Sequence, residues 1–138
     1  MSWDLVILDY PPEVKTVDDI QGDARPLGTR EELISRIRQY LPDAEFRGKQ
    51  YGTFVRGDYV IEFNLHSDEI CGSIGLRVCG SGRVVPVIDG LLKHLGLRAF
   101  DCQTGEFFAP ESAQHSFSQW AAYRDRAVSQ YSPKHDEQ

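Results

Sequence analysis

Residues 50–66 read QYGTFVRGDYVIEFNLH. Two apolar-rich runs meet across Gly57-Asp58, a two-residue connection with glycine first, as a type II′ hairpin turn requires. Side chains alternate along a strand, so Tyr59, Ile61, Phe63 and Leu65 point one way, and Val60, Glu62, Asn64 and His66 the other. After the loop SDEICG comes SIGLRVC, in which Ile74, Leu76 and Val78 alternate with Ser73, Gly75 and Arg77. A register that sets Phe63 opposite Leu76 puts Glu62 opposite Arg77 and His66 opposite Ser73. The Gly57-Asp58 turn likewise places Thr53 beside Glu62 and Tyr51 beside Asn64. Three antiparallel strands with one apolar and one polar face follow, and they decide the fold class.

Upstream, WDLVILDY (residues 3–10) holds four consecutive aliphatics, which reads as a strand buried on both faces. The chain to Gly28 reads as an irregular, acidic loop. In PLGTREELISRIRQYLPD, Thr29 and Glu32 form a capping box, Leu33, Ile34, Ile37 and Leu41 keep helical spacing, and Pro42 stops the run. A helix over about 30–41 follows. Downstream, Val84, Val85, Val87, Ile88, Leu91, Leu92 and Leu95 make a broad stripe on a second helix over about 84–95, with Gly96 just past its end. The strand LRAFDC precedes a last helix after Pro110, with Phe117, Trp120, Ala121, Arg124, Ala127, Val128 and Tyr131 near one face. The expected architecture is an α+β two-layer sandwich, a mostly antiparallel sheet in the order β-α-β-β-β-α-β with a C-terminal helix. It is one domain over 1–131, with a disordered polar tail at 132–138.

The formal charge of −6 argues against nucleic acid, which needs a basic stripe, and suits a basic protein partner. No apolar run reaches the roughly 18 residues of a membrane span. Asp4 interrupts the first apolar stretch and no basic leader precedes it, so no signal peptide is expected. Three cysteines, Cys71, Cys79 and Cys102, match no disulfide scaffold and point to a reducing compartment, most simply the cytoplasm.

The polar face collects Tyr51, Thr53, Glu62, Asn64, His66, Ser73 and Arg77. It reads either as a binding surface or as the solvated side that alternation requires in any case. Glu62 and His66 are separated by roughly 13 Å along a strand, too far for a hydrogen-bonded acid–base dyad. The acidic loop, with Asp18, Asp19 and Asp23, is a second candidate for gripping a basic partner. The four histidines and three cysteines show no metal-ligand spacing, and there is no phosphate-binding loop, so neither metal nor cofactor is expected. In RAFDCQTGEFF (98–108), acids beside Cys102 disfavour its thiolate. The stretch reads as a hairpin tip: Gly105 takes positive φ, Asp101 or Gln103 bonds turn amides, and Glu106-Phe107-Phe108 returns as a strand.

The segments MSWDLVILDYPP, VDDI, PLGTREELISRI, YVIEFNL and GLRAFDCQTGEFF resemble a group of short uncharacterised bacterial cytosolic proteins, over most of residues 1–108. Proteins of this size and style are similar to immunity proteins of polymorphic-toxin systems, which bind a cognate toxin domain and block it. The resemblance implies a non-enzymatic protein-binding module, and it carries no catalytic residue over. The alternative is a small-molecule-binding or enzymatic domain whose pocket lies between sheet and C-terminal helix, lined by Glu62, His66, Arg77 or Cys102. Monomer and homodimer both remain open.

Overall fold

The computed structural model describes residues 2–20, 22, 25–48 and 50–131. Asp23 and the expected tail 132–138 lie outside the described residues, as do the side chains of Ala127, Val128 and Tyr131.

Four strands carry most of the sheet: β1 (Trp3–Leu8), β4 (Tyr51–Arg56), β5 (Tyr59–Asn64) and β7 (Ile74–Gly80). Shorter strands are β2 (Gly28–Thr29), β3 (Glu45–Arg47), β6 (Ile70–Cys71), β8 (Arg98–Asp101) and β9 (Glu106–Phe107). Three helices, α1 (Arg30–Tyr40), α2 (Val84–Leu95) and α3 (Pro110–Tyr131), complete the α+β chain. The main sheet runs β3-β4-β5-β7-β1-β8-β9, every neighbouring pair antiparallel, and β2 pairs with β6 in a small separate sheet.

Local signals account for the element ends. Thr29 Oγ1 accepts the Glu32 N–H at 3.2 Å and caps α1. Gly57 has φ 57° while Asp58 does not enter positive φ, the pattern of a II′ turn. Gly96, at φ 67°, sends its N–H back to the last carbonyls of α2. The register is the one alternation predicts: Phe63 faces Leu76, Glu62 faces Arg77, Thr53 faces Glu62 and Tyr51 faces Asn64.

The core lies on one side of the sheet. Trp3, Leu5, Ile7, Phe54, Ile61, Phe63, Ile74, Leu76 and Val78 meet Leu33, Ile37, Val84, Ile88, Leu91, Phe117 and Trp120 in one buried cluster. Two expectations are corrected here. β1 is not buried on both faces: Trp3, Leu5 and Ile7 are buried, but Val6 and Leu8 are only half-covered, because they point to the side away from the core. His66 is not paired with Ser73 in the sheet either. β5 ends at Asn64, and His66 turns the chain away with φ 65°. Asn64 Oδ1 holds that turn by accepting the His66 N–H at 3.0 Å.

Candidate functional site: a hollow on the open face of the sheet

Alternation sends a second set of side chains to the face opposite the core. The register arranges them in rows: Arg47, Tyr51, Asn64, Gly75, Val6, Phe100 and Phe107 in one, and Glu45, Thr53, Glu62, Arg77 and Asp4 in the next. Tyr51 is 58% exposed and Val55 61%, two large side chains left open to solvent on β4, the second strand from the edge. Where the first row crosses β7, a hollow of about 340 Å³ opens, lined by Asp4, Val6, Tyr51, Glu62, Asn64 and Arg77 around Gly75.

Gly75 makes the hollow, and the backbone does not require it. Gly28 and Gly80 have φ of 135° and 115°, where side chains are strained. Gly52 lies under the Phe46 ring, and Gly90 under the Tyr40 hydroxyl. Gly75 has no positive φ, and a Cβ there would come no nearer than 3.8 Å to Asn64 Cβ, an ordinary contact. A glycine in a strand interior sacrifices roughly 0.5–1 kcal/mol relative to alanine. Such positions often mark close approach of a ligand or another chain.

The polar groups around the hollow are partly fixed. Asn64 Oδ1 accepts from Gln50 Nε2 at 3.2 Å as well as from the His66 amide, which orients the Asn64 side chain. Arg77 Nε lies 4.0 Å from Asp4 Oδ1, both side chains more than half exposed, so the pair is loose. Arg77 thus pairs towards β1; among the described residues Glu62 forms no ion pair.

The remaining candidates lie elsewhere. His66 is exposed past the end of β5 and does not line the hollow. Asp19 Oδ2 accepts the Lys15 and Thr16 amides at 3.0 and 3.1 Å, a turn-closing role, and Asp18 is exposed beside it. Neither lines the hollow, and Asp23 lies outside the described residues. The segment after β1 does reach the face at its other end. Arg98 stacks 3.8 Å over Phe107 and donates to Pro11 O at 2.8 Å, while Tyr10 meets the Phe107 ring edge-on.

Beside Trp3 of β1 the contact between sheet and C-terminal helix is filled, whereas a cleft stays open between the two at β9. Phe117 packs edge-on to Trp3 at 5.4 Å and against Trp120 at 5.2 Å, all three buried. The structure does not bring Glu62, His66, Arg77 or Cys102 there. That cleft, of about 240 Å³, lies between β9 and the start of α3, lined among others by Asp101, Glu106, Phe108, Ser112 and His115. Sequence alternation placed Tyr51, Glu62, Asn64, Gly75 and Arg77 on one face, without singling out Gly75, but missed Val6 and Asp4. Only the pairing of β1 with β7 brings the last two beside them.

Cys102 follows the hairpin reading. Partial burial pushes its thiol up, and the Asp4 and Asp101 carboxylates push it further the same way. Among the described residues no group of three His, Cys, Asp or Glu is placed to hold a metal ion, and no helix is long and apolar enough to cross a membrane. No protein-family model, curated protein or solved structure matches the chain.

Proposed function

We propose that this chain is a non-enzymatic protein-binding module that works through the open face of its sheet. In its most concrete form it is an immunity protein: it seats that face on a basic toxin domain and blocks it. Gly75 carries the reading, because it keeps a hollow open in a central strand at some expense of stability and with no demand from the backbone. Exposed Tyr51 and Val55 on rigid strands, with polar groups around them, supply the mixture that interfaces use. The toxin itself comes from the resemblance to immunity proteins and from the charge of −6.

The test is co-expression with the product of the neighbouring gene, using wild type and Gly75→Val side by side. The expected result is co-purification and rescue of growth by wild type, both lost in a Gly75→Val chain of undiminished thermal stability. Equal capture by both chains would remove the open face from the interaction. A neighbour that encodes no toxin domain and does not co-purify would remove the immunity reading.

A further inference from the structure

We infer that the hollow over Gly75 is the seat of an arginine side chain presented by the partner, an inference that rests on the protein-binding reading and names its anchor. The floor is bare backbone at Gly75, and Val6 and the 58% exposed Tyr51 stand on either side along the row. These surfaces suit the aliphatic stem of a long side chain and a flat cation laid on an aromatic ring. The rim carries two carboxylates and one guanidinium. The formal balance is one negative charge, and with Arg77 leaning towards Asp4 at 4.0 Å, Glu62 is the carboxylate without an ion-pair partner among the described residues.

Glu62 sits one row from Gly75 and on the strand next to Tyr51, so one guanidinium can bridge carboxylate and ring. The guanidinium is planar, forks onto a carboxylate and stacks, whereas a lysine offers a hydrated point charge that does neither. An acidic side chain drawn to Arg77 would meet Glu62 and Asp4 beside it. The Asn64 amide, its oxygen already engaged twice, turns its donor end to a partner carbonyl next to the arginine.

The experiment titrates the full ¹⁵N-labelled chain with N-acetyl-arginine amide and with its neutral isostere, N-acetyl-citrulline amide. Arginine amide is expected to shift the Gly75 and Arg77 amides and the Asn64 side-chain resonances, binding about threefold or more tighter than citrulline amide, as an exposed ion pair allows. Glu62→Gln should bring the two ligands level while leaving the rest of the spectrum in place. Equal response to both ligands, shifts confined to other surfaces, or an unchanged preference in Glu62→Gln would overturn the arginine seat. Stronger binding of N-acetyl-glutamate amide at the same resonances would give the hollow to an anion instead, and overturn it too. Capture of the whole partner is tested independently by Gly75→Val, so the arginine seat and the protein-binding reading fail separately.

Discussion

Trp3 Nε1 donates to Asp101 Oδ2 at 3.0 Å, joining the first strand to the β8–β9 hairpin across 98 positions of sequence. Asp101 is only 4% exposed, and its other oxygen accepts the Gln103 and Thr104 amides at 2.9 and 3.4 Å. One carboxylate therefore closes the turn and satisfies a buried indole. Asp101→Ala strands that indole N–H in the core, so a loss of about 2–3 kcal/mol is expected in urea unfolding. Asp101→Asn, with one acceptor oxygen left, should fall between it and wild type. A loss under about 0.5 kcal/mol for the alanine variant, the range of ordinary surface changes, would show that the bond contributes nothing.

The contact also marks how far the sequence could be read. Elements fixed by local chemistry were legible: the Thr29 cap, the Gly57-Asp58 turn, the Gly96 stop and the Gly105 hairpin all stand where their residue types put them. The three-strand register was legible too, because a short turn and period-two alternation leave one pairing that buries Phe63 with Leu76. What could not be read depends on distant pairing. Four consecutive aliphatics in β1 suggest burial on both faces, and the helices and core cover only one. The two-residue strands β2 and β6 carry too little pattern to notice. Asp4 reached Arg77, and Val6 reached Gly75, only once β1 had inserted beside β7. The hollow is thus a product of topology, and its central residue is the one with no side chain to signal it.

Substitutions at glycines separate structural from functional need. Gly75→Ala should leave stability unchanged or raise it by about 0.5–1 kcal/mol, since it removes backbone freedom from a strand interior with room for a methyl group. Gly80→Ala should be clearly destabilising: its φ is 115°, and a Cβ would collide with the Asp58 carbonyl oxygen. Urea midpoints of the two variants check the contrast. Destabilisation of Gly75→Ala by more than about 1 kcal/mol would mean that the strand needs this glycine after all.

The helices are tied to one another at the end of α2. Arg36 Nη2 donates to Leu95 O at 2.7 Å, capping a carbonyl that the helix leaves unbonded, and His94 Nε2 lies 2.9 Å from Arg36 O. Arg36→Met keeps most of the stem packing and removes the charged donor. It is expected to lower stability by about 1–2 kcal/mol, the range for a partly shielded hydrogen bond from a cation. The drop should persist in high salt, since it comes from a directed bond and not from long-range charge. A loss that disappears in high salt would assign the effect to surface electrostatics.

The cysteines give a pH dependence of definite sign. Burial raises the Cys71 thiol, with Asp68 adding and Arg30 opposing; partial burial raises Cys102, with Asp4 and Asp101 adding. The folded chain therefore holds these two protons to higher pH than the unfolded chain does. Their contribution to stability is fully present below the ordinary thiol value of about 8.5, and it is lost as pH rises through the raised values. Urea midpoints should fall as pH rises above about 8.5, and the fall should shrink in a Cys71→Ala, Cys102→Ser double variant. Alkylation resolves the two sites. Cys71 is buried, its thiol donating to Leu65 O at 3.3 Å, and should react only on unfolding. Cys102 is exposed and should react slowly for an accessible thiol, because little of it is thiolate at neutral pH. Asp4→Asn withdraws one of the carboxylates that hold the proton on, so iodoacetamide should modify Cys102 about twofold faster at pH 8. An unchanged or slower rate in that variant would mean that Asp4 does not act on the sulfur.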